Sequence, residues 1–269
     1  MSKEKNKGGV VTVILVSTLL AFAAVCAFKV IPQLIENWKS RDAYDGMRSS
    51  VMTDEQEGEI AVSALSADPV ENKYLHIDWE KLKDTGTMAW IELDDINYPV
   101  MYKKGDNDYY LHHLPDDTYN DSGSIFIQGQ SSPYFTDRNT FIYGHNMLNH
   151  TMFSDLKRYL SPEYKDHEIK IYLPDGTVHI YKIFAAISCE TGTEPYRYLY
   201  NSDEEYLKYQ ETVLSLSQYE TGAKPDKNAK LVSLSTCDGY TGTTHRSLLI
   251  GREEKTEKVQ KAASWYTPS

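Results

Sequence analysis

The stretch LVSLSTCDGYTGTTHRSLLIGR, residues 231–252, sets two apolar strand-like runs around a polar loop rich in glycine and threonine. Successive side chains of a strand point to opposite sides. Val232, Leu234 and Thr236 therefore share one face, and Ser233, Ser235 and Cys237 the other. With Val232 and Leu234 toward a core, Cys237 ends its strand on a hydroxyl-lined, non-core face. A packed thiol would sit more comfortably on the apolar face. The pattern thus favours a working cysteine, against the ordinary reading of a lone cysteine as a core residue. Arg246 opens the second run nine residues later, where a guanidinium can donate to a developing oxyanion or a substrate carbonyl. Its plain reading is a strand-end surface arginine, a description that fits Arg252 better.

Outward from this segment, the chain from Met88 onward reads as short β runs. They are MAWIEL, NYPVMY, GSIFIQ, TFIYG, EIKIYL, TVHIYKIFAAIS, KLVSLST and RSLLIGR, rich in β-branched and aromatic types and bounded by Gly, Pro, Asn or Asp. LPDG supplies a hairpin turn between two of them. Two helices interrupt the series. One covers residues 151–160, with Phe153, Leu156 and Leu160 at helical spacing. The other covers 203–219, where Tyr206, Tyr209, Val213 and Leu216 form a stripe behind an acidic first turn. Many short strands with few helices predict a mainly β fold with added helices, closed or nearly closed into a barrel.

The 269 residues carry a formal net charge of −11, with no basic stripe to neutralise phosphates, which argues against nucleic acid. Three cysteines, Cys26, Cys189 and Cys237, make neither a disulfide framework nor a CxxC metal site. No metal or cofactor is expected. Cys189, in FAAISCE, reads as a packing residue. At the N-terminus, MSKEKNKGG holds three lysines against one glutamate, and residues 10–28 run nineteen positions without a charge. That length nearly spans a hydrocarbon core as a helix. The basic flank predicts a cytoplasmic tail (1–9), a transmembrane signal-anchor (10–28) and everything beyond Lys29 outside the cell. A cleaved signal peptide is disfavoured because the run is long and VCA is a poor cleavage site. A lipoprotein reading of AAVC fails on Val25, where a small residue is expected. Residues 29–72 then read as a helix, with Leu34, Ile35 and Trp38 on one stripe, and an acidic spacer. A catalytic domain follows at 73–253 and a polar tail at 254–269.

A nucleophilic cysteine needs a proton partner and an oxyanion stabiliser. Eight histidines compete for the first role. His145 differs from the rest because TFIYGHNM delivers it at the end of an apolar strand, just after a glycine, where a rigid scaffold can present it to a groove. Local chemistry alone leaves it even with its rivals.

LSTC followed by Arg246, with YGHNM upstream, resembles the Cys–His–Arg signature of sortases, and of class B in particular. The likeness extends over roughly residues 77–252 and takes in IDWEKLK, WIELDDINYPV, DNDYYLHH, GSIF and DRNTFIYGHNMLNHTMF. The resemblance implies an eight-stranded sortase-type β-barrel with N-terminal helices, a membrane anchor and attachment of secreted proteins to the cell wall. By motif it makes Cys237 the nucleophile, His145 the general acid/base and Arg246 the oxyanion or substrate-positioning group. It adds Ser235, Asp238 and Asn146 as substrate contacts. The implied partners are secreted proteins bearing a C-terminal sorting signal of the LPxTG/NPxTN type and the amine of a peptidoglycan precursor. Gln128 stands where relatives often carry an acid, and substrate choice is less defined than the reaction. Pilus polymerisation is the alternative within the family. An L,D-transpeptidase would place His and Gly immediately before its cysteine, where Ser235 and Thr236 stand here. Papain-like enzymes put the cysteine ahead of the histidine. A tethered, non-catalytic wall-binding β-domain is the reading from another class.

Overall fold

The computed structural model describes residues 5–52, 74–147, 149–237 and 244–267. The acidic spacer expected at 53–73 lies outside the described residues. All eight expected strands form. They are β1 (Thr87–Leu93), β2 (Ile96–Tyr102), β3 (Phe126–Ile127), β4 (Asn139–Tyr143), β5 (Glu168–Tyr172), β6 (Thr177–Glu190), β7 (Leu231–Cys237) and β8 (His245–Lys258). They close into a barrel in the order β1-β2-β3-β4-β7-β8-β6-β5, with β5 pairing back on β1. Closure removes the exposed edges that open antiparallel sheets must protect.

Two of the pairings are parallel, β2 with β3 and β4 with β7. The second decides where chemistry can happen. Because β4 and β7 run the same way, the residues following β4 and the last residue of β7 emerge at the same end of the barrel. The antiparallel β8 starts at that end.

Val232, Leu234 and Leu249 point into the barrel core with Ile91, Ile142, Phe153 and Ile171. The opposite face of β7, expected to be a non-core face, belongs to a second buried cluster. It is roofed by α2 (Asp203–Leu216), whose Tyr206, Tyr209 and Val213 pack with Phe141, Leu231, Leu248 and Ile250. Strand alternation shows only that two faces differ, and here a tyrosine stripe covers the second. The hydroxyls there are buried but satisfied. Ser233 donates to Asn139 Oδ1 at 2.8 Å, and Asn139 Nδ2 donates to the Tyr209 hydroxyl at 3.0 Å. The Ser202 side chain caps α2 by accepting from the Glu205 amide, which satisfies one donor orphaned at a helix start. The helix ends at Leu216, which is exposed rather than part of the buried stripe.

The helix expected at 151–160 is shorter, a 3₁₀ segment at Ser154–Leu160. His150 and Met152 ahead of it adopt positive φ (58° and 57°), which a continuing α-helix cannot accommodate. Tyr159, Arg158 and His167 all converge on Asp94 in the β1–β2 turn, clasping this segment to the barrel.

The N-terminal run and the following helix form one element, α1 (Lys5–Val51), with Pro32 inside it. Its far half is fastened to the barrel. The Tyr44 hydroxyl donates to Gly123 O, Arg48 Nη2 donates to Asn97 O at 2.7 Å, and Asn120 Nδ2 donates to Glu36 O. Leu34, Ile35 and Trp38 take no part in this packing and are exposed. At the other terminus, β8 continues past Arg252 to Lys258, and Trp265 Nε1 donates to Trp79 O, so part of the expected polar tail joins the fold.

Candidate active site

The catalytic candidates fall side by side through strand register. Tyr143 of β4 pairs with Ser235 of β7, and the Gly144 amide donates to Ser235 O at 3.1 Å, extending the ladder by one residue. Two positions beyond each partner of that pair lie His145 and Cys237. Across the other edge of β7, Cys237 pairs with Arg246 of β8. His145, two residues past the end of β4, Cys237, the last residue of β7, and Arg246, its partner on β8, thus lie at one end of three neighbouring strands. Cys237 takes the middle place.

Gly144 makes this arrangement possible. A Cβ there would lie 2.7 Å from the Phe153 ring and 3.2 Å from Ile125 Cγ1, whereas Phe153 is fully buried and its amide donates to His145 O at 3.1 Å. Gly144→Ala is therefore expected to overpack this corner by about 1–3 kcal/mol. Thermal melting should show the loss, and peptide cleavage should fall further than stability alone explains because His145 is displaced with it. Adding Phe153→Leu should recover part of both.

His145 is half-buried, and its Nε2 lies 3.2 Å from the carbonyl of Leu111. Burial is the largest influence on the imidazole and lowers its pKa below 6.5, against the Leu111 carbonyl, which raises it; His112 and Arg246 also push it down. The buried site thus disfavours the charged imidazole. The competing histidines have other engagements. His112 pairs with Asp121, His150 with Asp155, His167 with Asp94, His179 with Glu253 and His245 with Glu190, while His113 stacks on Tyr109 at 4.0 Å.

At this end lies a groove of about 260 Å³, lined by His145, Arg246, Ser235, Thr236, Tyr143 and Tyr196, with Asn107, Asp108, Leu111, Phe126, Gly144 and Thr191. Most of this wall was not singled out in the sequence. Tyr196, brought in by the 3₁₀ turn Glu194–Tyr196, shares a hydrogen bond of 2.8 Å with Ser235 Oγ and stacks on Phe141. Burial raises the Tyr196 phenol and pushes Tyr143 up to about 12, so both remain neutral hydrogen-bonding groups near pH 7. The Thr236 hydroxyl is buried with no hydrogen-bond partner among the described residues. Ser235 lines the groove but is itself buried. Asn146 instead forms a backbone bridge with Met152 in the loop beyond His145. Asp238 lies outside the described residues. Cys189 of β6 pairs with Arg246 on the opposite edge from Cys237, so it is nearer the site than its sequence context suggests. Burial raises its thiol pKa, which suits a packed and unreactive sulfur.

A closed barrel that carries Cys, His and Arg on adjoining strand ends over a tyrosine-walled groove is an architecture for acyl transfer through a cysteine. Comparison with known proteins gives that class its family. The sortase domain model matches residues 91–254. The chain belongs to the sortase family of cysteine transpeptidases, and its relatives are class B members. It is 33% identical to sortase B of Listeria monocytogenes over 164 residues, a match spanning 60% of this chain and 66% of that protein. It is 25% identical to sortase B of Staphylococcus aureus over 249 residues, 90% and 95% of the two chains. The solved Staphylococcus aureus sortase B–substrate complex superposes with a TM-score of 0.61 at 26% identity, covering 66% of this chain and 85% of that one. Sortase B of Clostridium perfringens gives 0.59 at 27%, covering 65% and 99%.

Proposed function

We propose that this protein is a membrane-anchored transpeptidase that cleaves an LPxTG/NPxTN-like sorting signal after its threonine and joins the acyl group to an amine of a cell-wall precursor. The observation that carries this reading is the meeting of His145, Cys237 and Arg246 at one end of the barrel. The signal lies in the groove, and the Cys237 thiolate attacks the threonine carbonyl. Arg246 stabilises the oxyanion of the tetrahedral intermediate. As the C–N bond breaks, protonated His145 gives its proton to the leaving amine, and a thioester to Cys237 remains. The acceptor amine then attacks that thioester. His145 takes its proton, and the thiolate leaves. The long apolar helix near the N-terminus supports an anchor with the catalytic domain outside the cell.

Incubating the protein with a library of sorting-signal peptides and identifying the acyl-enzyme by mass spectrometry tests this reading. A peptide acyl group, cut after Thr and carried on Cys237, is expected. An adduct on Cys189, or none with any peptide, would overturn it.

The pH profile follows from the site. The productive pair is thiolate with imidazolium. Below the His145 pKa the thiol holds its proton against a charged imidazole, and above the thiol pKa the imidazole has lost its own. Rate against pH is therefore bell-shaped. The acid limb falls below 6.5 because His145 is depressed, and the alkaline limb is set by loss of the imidazolium as the thiol ionises. Because the pair starts mostly neutral, turnover is modest. A rate still climbing above about pH 10 contradicts the scheme. The same depression affects stability. The unfolded chain binds the His145 proton more readily, so this contribution is present above pH 6.5 and is lost as pH falls through the window below it.

A further inference from the structure

Helix α1 presents two opposed faces beyond its charge-free run. At about 100° per residue, Tyr44, Met47 and Val51 fall on the side packed against the barrel. Ile31, Leu34, Ile35 and Trp38, at i, i+3, i+4 and i+7, fall on the other side and are exposed, Trp38 at 65%. Among the described residues no part of the barrel covers that stripe. We infer that it is a membrane-docking face, seated in the outer interfacial layer of the bilayer that α1 crosses; the inference rests on the anchor reading above.

Four observations select lipid as the occupant. The charge-free run ends at Phe28, so Ile31 follows the span within one helical turn. Nineteen residues rise about 28 Å, nearly the thickness of the hydrocarbon core, which leaves the stripe at headgroup level. Trp38 lies about 15 Å beyond Phe28 along the axis, but helical side chains slant toward the N-terminus, and spans commonly tilt by about 20°. The slant carries the indole back toward the interface, where tryptophan concentrates, while a tilt of about 20° changes its depth by only about 1 Å. Lys39 and Arg41 flank the stripe, Lys29 ends the charge-free run on the other side of the helix, and all three complement lipid phosphates. The same helical face then turns acidic at Asp42 and Asp45, both exposed. Asp45 is paired with Arg48 at 3.1 Å, but in a parallel pair of copies joined along the stripe the Asp42 carboxylate would meet its own counterpart, which disfavours a second copy.

Docking has a consequence for the groove. Asn120, which bonds Glu36 O, sits on the segment running from Leu111, whose carbonyl faces His145. Exposed Tyr119 is its neighbour. A seated stripe therefore holds the His145 side of the groove toward the membrane surface.

The test uses the full chain in vesicles of zwitterionic and anionic phospholipid, brominated either near the carbonyl end or near the methyl end of the acyl chains. Trp38 fluorescence is read as the difference between the parent protein and Trp38→Phe. A blue-shifted difference spectrum, quenched roughly twofold by shallow bromines and less by deep ones, is expected. Equal quenching of parent and variant overturns the inference while leaving the anchor intact. So does a Trp38 shielded from both lipid and aqueous quenchers while Leu34→Cys cross-links copy to copy. Loss of the protein from vesicles in an alkaline wash overturns the anchor reading and the docking face together.

Discussion

Cys237→Ala and His145→Ala should each reduce transpeptidation by about 10³-fold or more, and the double variant should be scarcely worse than either single one. The non-additivity follows from the shared step. Without the sulfur there is no thioester for His145 to serve. Without the imidazole, the leaving amine departs unprotonated and the thiol loses its base. The two losses are separable by covalent labelling. A thiol-reactive sorting-peptide analogue should not modify Cys237→Ala, whereas His145→Ala should react slowly and gain rate as the pH approaches the thiol's own pKa. His112→Ala is the control. His112 pairs with Asp121 and lies outside the groove lining, so its removal should leave turnover nearly intact. Retained activity in Cys237→Ala would remove the nucleophile assignment, and a His112 effect as large as that of His145 would reopen the choice of base.

The barrel was legible because strand patterning is local. Alternation and turn residues located all eight strands, though β3 shrinks to Phe126–Ile127 and β8 runs on to Lys258, and their order and the parallel pairing of β4 with β7 required the fold. That pairing decides the site, since it turns a histidine and a cysteine 92 positions apart into neighbours on adjacent strands. Motif resemblance could name the pair, but periodicity had no way to find it. Strand alternation does not set Cys237 apart from a core residue. Ser233 and Ser235 are as buried as Val232 and Leu234, because α2 roofs their face, and only the strand's end opens on the groove. Tyr196 escaped notice for a similar reason. TEPYRYLY spaces its tyrosines by two, the signal of a strand, whereas Tyr196 closes a 3₁₀ turn and meets Ser235 39 positions away. The loop beyond His145 was opaque as well. Its course depends on positive φ at His150 and Met152, residues whose side chains do not advertise that conformation.

Arg246→Ala should lower the acylation rate by about 10²–10³-fold, the usual cost of losing one oxyanion donor, with little change in peptide KM. The split matters because Arg246 has a second, purely structural description. It pairs with Cys237 on one side and Cys189 on the other, and its Nη1 donates to its neighbour's carbonyl, His245 O, at 2.9 Å. A structural arginine would betray itself in melting temperature and in binding of uncleavable peptide, whereas an oxyanion donor acts only on the charge that develops during attack. Arg246→Lys separates the cases further. The ammonium keeps the charge but lacks the planar fork, so it should recover part of the rate without restoring it. The guanidinium also lowers the His145 pKa, so Arg246→Ala should move the acid limb of the pH profile upward, and Arg246→Lys should move it less. Removing a group that only props up the start of β8 would instead lower the melting temperature and weaken binding of uncleavable peptide in proportion to the lost rate, and that result would transfer the oxyanion role away from Arg246.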